Sequence, residues 1–419
     1  MPHTRLALGS IDMAHYRVPD KFVCSACIDD YAIKEFINEY AIEQECSYCA
    51  KKSSRLIAAP LEDVIAFMLK GIWTEWDEPN NCMSWDEDWV GAEVIDSDEL
   101  IRYRVGLESS NEEVLDDIIL TLTDLQWCQR DPYGLPDDEK LIFGWHTFCE
   151  QVKHHTRYIF FLTKNGEDGE EERFYDRDNI PVHEMIGRIS YEISMLERDI
   201  DIVKVLPTGT RLWRVRIDEK DFFDRAADVG TVPSHKAKYS NRMSPAGIPM
   251  FYGAFDPTTA LKETIGRQHK LGQVASIGTF ESLREVKVLD LSQLPKTPSL
   301  FDAEKRPTRS SLIFLHNFVT DLSQPTTGDD LEHIDYVPTQ MFTEYIRHLY
   351  IDDEGDYVLG IIYPSANNSG GKSIVLFLEN EHCCDEKPTA KDVADENPPR
   401  YLILEAAQKH ILTTSDLNS

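Results

Sequence analysis

The chain of 419 residues lacks several things, and each absence narrows its function. No window holds the roughly 18 unbroken apolar residues that a membrane-spanning helix needs, so no span and no membrane partner are expected. The opening MPHTRLALGSIDMAHY has no long apolar stretch, so no secretory signal is expected and a cytoplasmic location is. Positive charge is scarce: 43 Lys and Arg face 74 Asp and Glu, for a net charge of −31. That field repels nucleic-acid phosphate and anionic lipid, so nucleic acid is not an expected partner either. No internal repeat is found. What is present is an ordinary globular composition, 42% hydrophobic, over a length suited to two or three domains. The acid is unevenly spread. Asp86–Asp98 and Glu167–Asp178 are acid-rich, whereas Arg211–Arg242 carries several cations where an anionic small molecule could bind.

Nine cysteines is an odd count, and in a reducing cytosol spaced cysteines read as metal ligands before disulfides. Cys24 and Cys27 form one C-x2-C, and Cys46 and Cys49 form a second 18 residues later. Together they can give a tetrahedral zinc four thiolates at about 2.3 Å. Four thiolates leave no open position, so the zinc is read as structural rather than catalytic; the bland alternative is four unrelated buried thiols. Cys82, Cys128, Cys149, Cys383 and Cys384 lack such spacing and read as ordinary thiols.

Residues 1–55 thus form a four-cysteine zinc-binding module, followed by a mostly helical domain over 56–204. Pro60 suits a first helical position, and Leu61, Val64, Ile65, Met68, Leu69 and Ile72 make one apolar stripe. Asn111 can cap a helix carrying Val114, Leu115, Ile118, Ile119 and Leu122. Phe148, Val152 and Ile159 follow on another helix, and Pro181 opens a last one with Met185, Ile186, Ile189, Ile193 and Leu196. The turn 165–169 suggests a hairpin between 158–162 and 173–175. His154, His155 and Arg157 read as solvated or paired helix-face residues. Trp73, Trp76, Trp85, Trp89 and Trp127 read as core rather than a ligand cage.

Near Leu206–Thr210 the pattern changes to strands. In Arg211–Ile217, Trp213, Val215 and Ile217 alternate with Arg214 and Arg216. Strands are also expected over 248–255, 286–291, 357–363 and 373–378. Asp256-Pro257 sets up a short helix through Thr264, and Thr339–Tyr350 forms a second. Tyr401–Leu412 adds a strand or a helix. The fold class is α+β, with a mixed, mainly antiparallel sheet over 205–410 and a frayed tail over 411–419.

LWRVR, then NRMSPAGIPMFYGAFDPTTALKE, then GIIYPSANNSGGKSIVLF resembles the RES domain, a family named for an arginine, a glutamate and a serine. The likeness runs from about Arg211 to Phe377. The N-terminal half resembles the cysteine-bearing module that precedes RES in the HEPN/RES N-terminal-domain proteins. The resemblance implies an ADP-ribosyltransferase-like fold with NAD+ as substrate, cleaved between nicotinamide and ribose. It implies a bacterial toxin of a toxin–antitoxin pair, or an anti-phage defence effector, that depletes cellular NAD+. It also implies an antitoxin or regulatory partner and leaves room for a homo-oligomer. The family arginine corresponds to Arg214, the tyrosine to Tyr252, the glutamate to Glu263 and the serine to Ser365. Arg242 corresponds to an arginine that precedes the Gly-x-Pro turn.

Chemistry supports these assignments. A guanidinium grips phosphate oxygens through paired hydrogen bonds, which suits Arg214 and Arg242 to a pyrophosphate. The attached nicotinamide is cationic and an aromatic face attracts it, which suits Tyr252; otherwise Tyr252 is a half-buried strand tyrosine. A carboxylate near the developing ribosyl cation lowers the barrier, which suits Glu263; otherwise it is a solvated helix glutamate. Ser365 binds ribose or carboxamide and is no nucleophile, because no histidine at motif spacing activates it. Ser373 competes for that role, and Arg216 reads as a surface salt-bridge partner. The roughly 200 residues ahead of the RES-like part read as a regulatory half.

Three other readings use the same chain. An ADP-ribosyltransferase would pass the ribosyl group to a macromolecule with the same residues, or phosphate would be the acceptor. A non-enzymatic NAD-sensing or partner-binding protein would not depend on Glu263. An RNase would use the loose Arg309…His316 spacing, which the acidic charge disfavours.

Overall fold

The computed structural model describes residues 13–162, 178, 180–266, 269–324, 332–387 and 398–417. It divides into two compact units, one of Met1–Asp137 with Lys296–Ser310 and one of Asp138–Pro295 with Ser311–Ser419. These units cut the chain elsewhere than the segments ending at 55, 204 and 410. The reason is where apolar side chains are buried. Leu141, Trp145, Phe148, Met185, Ile189 and Ile193 share a core with Phe318, Phe342 and Val375. Leu300 and Phe301 share one with Ile33, Met68 and Trp127.

In the first unit, helix α1 (Tyr31–Tyr40) starts where the Asp30 side chain accepts from the Ile33 N–H at 3.0 Å. It buries Ala32, Ile33, Phe36 and Ile37 at helical spacing. Helix α2 (Leu61–Glu75) has the expected stripe, with Pro60 at the cap position and Glu62 and Asp63 in the favourable first turn. Helix α3 (Glu112–Thr121) is capped by Asn111, as expected. Short strands accompany these helices: Trp76–Asp77, Gln126–Gln129 and Ile95–Asp96 form a three-stranded sheet. Trp127 is fully buried and donates its indole N–H to Ser97 Oγ at 2.9 Å. Trp85 is a correction. It is 63% exposed on the hairpin Ser84–Val90, where it meets Trp89 edge to face at 5.0 Å.

In the second unit, nine strands form one sheet: β1 (Val203–Leu206), β2 (Arg211–Asp218), β3 (Phe251–Ala254), β4 (Val274–Ser282), β5 (Val286–Asp290), β6 (Gly360–Pro364), β7 (Lys372–Leu376), β8 (Cys383–Cys384) and β9 (Leu402–Ile411). Their spatial order is β8-β9-β4-β2-β3-β7-β6-β5-β1. Pairing is antiparallel except for β5 with β6 and β8 with β9, so the sheet is mixed and mainly antiparallel. Between β2 and β3 the ladder holds at one pair, Trp213 with Ala254. One sheet face carries Leu212, Phe251, Phe280, Ile362, Ile374 and Leu376 in a single core. The other carries Tyr252, Val375, Ile361 and Tyr363, covered by helices α4 (Asp137–Glu150), α5 (Met185–Glu197), α7 (Arg309–Leu322) and α8 (Val337–His348). Beside it, Val215, Ala254 and Ala275 pack with Ala260 of helix α6 (Pro257–Thr264).

Several expectations are corrected. The first helix of this unit ends by His155, so Ile159 is not on it and is exposed. Residues 160–162 form a 3-10 turn rather than a strand, and 173–175 lie outside the described residues. Pro181 begins a turn, and α5 starts at Met185. Strand β3 starts at Phe251 rather than at 248. The strand or helix expected over 401–412 is the strand Leu402–Ile411, and the tail expected to fray has Leu412 buried and a helical turn over Thr414–Leu417.

Candidate functional site

The expected glutamate and serine meet. Asp256 follows β3 and caps α6 by accepting from the Thr259 N–H at 2.8 Å, with Pro257 at the first turn. That start sets the register placing Glu263 toward the turn that follows β6. There the Ser365 hydroxyl donates to Glu263 Oε1, and the Asn367 N–H donates to the same oxygen at 3.1 Å. Ser365 Oγ in turn accepts from the Asn368 N–H at 3.0 Å. The Asn368 amide donates to Thr259 Oγ1 at 2.7 Å, tying the turn to the start of α6. Gly371 makes this approach feasible, because a Cβ there would lie 2.5 Å from Thr259 Oγ1. Among the described residues, Glu263 Oε2 has no hydrogen-bond donor. The Ser365 hydroxyl thus spends its proton on the Glu263 carboxylate and, with the Asn367 N–H, fixes the direction of that oxygen.

The expected tyrosine lies on the same sheet face. Tyr252 Oη pairs with Ser244 Oγ at 2.9 Å and accepts from the Met243 N–H at 3.2 Å. Burial pushes its phenol well above the ordinary value, so it stays neutral. Arg242 belongs to the same small loop. Its Nη1 donates to the Leu322 carbonyl at 3.0 Å, and its guanidinium sits 5.4 Å from the Tyr336 ring centre. Helix α8 holds the loop: Thr339 Oγ1 donates to the Arg242 carbonyl at 2.5 Å, and the Gln340 amide donates to the Asn241 carbonyl at 2.8 Å. Tyr363 joins the two groups. Burial raises its phenol, Glu263 and Tyr252 raise it further, and Arg242 opposes them.

Sequence reasoning missed Ser244, Tyr336, Thr339, Gln340 and Tyr363. The available signal was a helix expected over 339–350 whose first residues, Thr339 and Gln340, are polar on the side that becomes buried.

Arg214 stands apart. Trp213 pairs with Ala254, so alternation along β2 puts Arg214 on the face of Leu212 and Phe280, opposite the Tyr252 side chain. Its Nε donates to the carbonyls of Val229 and Gly230, each at 3.0 Å, and its Nη1 donates to the Tyr252 carbonyl at 2.7 Å. The guanidinium therefore bridges the two strands where their ladder opens, and only Nη2 has no protein acceptor among the described residues. Burial pushes it down to about 10, against the pull of Cys383 and Tyr252, so it remains charged at neutral pH. Among the described residues, Arg216 is not the surface salt-bridge partner expected. It donates to the Asp228 carbonyl at 2.6 Å and stacks 4.4 Å from the Phe223 ring centre. Arg309 and His316 are likewise tied to main-chain carbonyls, of Pro298 and Pro295.

The four spaced cysteines come together in the first unit. Their Sγ atoms lie within 4.8 Å of one another, with neighbours at 3.8 Å (Cys24–Cys27), 3.6 Å (Cys24–Cys49) and 3.7 Å (Cys27–Cys46). A tetrahedral metal with thiolates at about 2.3 Å would space its sulfurs by about 3.8 Å, so the donor set fits. Burial raises Cys24 and Cys27. Burial also acts upward on Cys46, but the N–H groups of Cys49, Tyr48 and Cys24 outweigh it and bring that thiol down to about 7. The cluster could hold a metal ion.

A depression of about 220 Å³ lined by Pro257, Leu261, Lys262 and Ile265 lies on the other side of α6 and contains none of the expected residues. No helix among the described residues is long and apolar enough to cross a membrane.

Comparison with known families agrees with the motifs. The RES domain family matches residues 211–398, and HEPN/RES N-terminal domain 1 matches residues 39–166. The chain carries both. The RES match spans Arg214, Arg242, Tyr252, Glu263 and Ser365, whereas the N-terminal match includes Cys46 and Cys49 but begins after Cys24 and Cys27. No curated protein and no solved structure matches the chain.

Proposed function

We propose that this chain is an NAD+-cleaving toxin or defence effector that breaks the bond between nicotinamide and ribose. The two domain matches are consistent with an NAD+-related effector. The observation that carries the reading is Glu263, a carboxylate held at one oxygen by Ser365 and Asn367 and, among the described residues, free of protein donors at the other.

The chemistry asks little of the protein. The C1″–N1 bond breaks, its electron pair leaves with nicotinamide, and the ring departs neutral without a general acid. Positive charge then spreads over ribose C1″ and its ring oxygen. The second oxygen of Glu263 stabilises that charge, and two donors on the first oxygen keep the carboxylate aimed. Arg242, held by Leu322 and Tyr336, supplies the cation that an acidic protein needs for the pyrophosphate. Tyr252 offers an aromatic face to the cationic nicotinamide. Arg214 fixes the opening between β2 and β3 and brings at most its Nη2 to a phosphate. With water as acceptor, NAD+ and H2O give ADP-ribose, nicotinamide and H+. In the cluster of Cys24, Cys27, Cys46 and Cys49 we read the metal as a structural zinc.

The test is NAD+ turnover by the purified full chain. Glu263→Gln should slow it by about 10²–10³-fold, the scale for losing one preorganised electrostatic group. Free ADP-ribose marks hydrolysis, ADP-ribose-1″-phosphate marks phosphate as acceptor, and label retained on macromolecules marks transfer. Full turnover in Glu263→Gln would refute the assignment.

A further inference from the structure

Ser373 is a buried hydroxyl that the scheme above does not use. It lies on β7 and is 2% exposed, and its Oγ has no hydrogen-bond partner among the described residues. Folded proteins rarely leave a buried polar group unpaired, because it loses water and gains nothing. Its position is informative. By register Ser373 lies opposite Tyr363 on one side and Ala254 on the other. Alternation puts it on the Tyr252 face, with Tyr252 at a diagonal position one pair further along. Residue 365 follows the same strand as Tyr363, two places on. Ser373 also falls at a seam: Tyr363 and Val375 belong to the core under α7 and α8, and Ala254 to the core under α6.

We propose that Ser373 is a specificity-determining residue of the ligand site, where its hydroxyl hydrogen-bonds the amide of a carboxamide-bearing ring set between Tyr252 and Glu263. This rests on the proposed NAD+ cleavage and names the part of the dinucleotide that the sheet recognises. A hydroxyl can accept from the amide N–H2 as well as donate to its oxygen; a carboxylate offers no N–H to the hydroxyl oxygen and brings charge to a buried place, so it is disfavoured. The unpaired state of Oγ is then the ligand-free state of a hydroxyl that the amide satisfies.

The experiment compares the wild-type full chain with Ser373→Ala and Ser373→Cys. The probes are NAD+ and its acid analogue, in which the carboxamide is a carboxylate. Wild type should favour NAD+. Ser373→Ala should raise KM for NAD+ by about three- to tenfold, the worth of one neutral hydrogen bond, and narrow the preference over the acid analogue. Its ligand-free melting temperature should be unchanged or higher, because no protein hydrogen bond is lost. Ser373→Cys, a weak donor of similar shape, should fall between the two. The proposal is overturned if Ser373→Ala keeps both KM and the preference of wild type, or if it lowers the ligand-free melting temperature. A wild-type protein that neither binds nor cleaves NAD+ overturns the underlying reading, and this one with it.

Discussion

If the cysteine cluster holds the proposed zinc, removing it should unfold the two cysteine turns rather than merely weaken them. The secondary structure there is slight: strand Phe22–Cys24 pairs with Ala58–Pro60 over three residues, and α1 has 10. Val23, Ile28, Ile33 and Ile37 lean on the larger core of Met68 and Trp127, but the two cysteine turns meet at their thiols and depend on the metal. Thiolate zinc in small modules contributes about 10–16 kcal/mol at neutral pH, as much as the entire stability of a typical domain at about 5–15 kcal/mol. Three of the four cysteines are buried, while Cys49 is exposed, which gives a chelator an approach. We expect one zinc per chain in protein purified without chelator. EDTA with a reductant should remove a cooperative transition from the melting curve. Protons compete with the metal for the thiolates, so release should occur more readily as pH falls below neutral. Cys27→Ser should reproduce the loss, while Cys128→Ser, at a buried thiol outside the cluster, should keep the metal. Absence of stoichiometric metal by elemental analysis, together with a melting curve indifferent to EDTA, would refute the reasoning.

Two further outcomes follow from the second unit and its boundary. Lys287 Nζ lies 2.6 Å from the buried Asp352 and 2.8 Å from both Glu354 and Asp356, so Lys287→Met should cost about 1.5–3 kcal/mol at pH 7, because the Asp352 carboxylate loses its cation but keeps the N–H groups of Glu354 and Asp356. Burial raises Asp352, but the Lys287 hydrogen bond and charge, together with the N–H groups of Asp356 and Glu354, outweigh it and hold the carboxyl below its ordinary value. Its stabilisation is therefore present above the unfolded-state value and lost as pH falls through the lower folded one, so the melting-temperature gap between wild type and Lys287→Met should narrow below about pH 4; a gap independent of pH there would count against the pair. Separately, a fragment beginning at residue 205 should be insoluble or molten, because it lacks Trp145, Phe148, Ile189 and Ile193 of its own core and bares Leu300 and Phe301; a cooperatively melting fragment would contradict this.

Much was legible because local chemistry is loud at particular places. The Cys24/Cys27 and Cys46/Cys49 spacing can serve one ion through two tight turns, and the four sulfurs do converge. Asp256-Pro257 is a cap and a first turn, and α6 begins there. Asn111 caps α3 for the same reason. β4 was missed because both of its neighbours bury it and Gly278 and Ser276 interrupt its apolar pattern; α7 was missed because its stripe follows a stretch broken by Pro298 and Pro307. The hairpin carrying Trp85 shows that tryptophan is not always core.

By itself the sequence determined which residues could do chemistry, since motif order and residue type carry Arg214, Arg242, Tyr252, Glu263 and Ser365 into one family pattern. Tertiary structure alone decided what each one touches. Glu263 and Ser365 are 102 residues apart, and only the turn after β6 meeting α6 joins them. Arg214 and Tyr252 read alike along their strands, yet the single Trp213–Ala254 pair puts their side chains on opposite faces and commits the arginine to carbonyls. Residues 296–310 follow β5 in sequence but pack with the first unit. Register and burial are properties of paired strands and closed cores, and neither exists until distant segments meet.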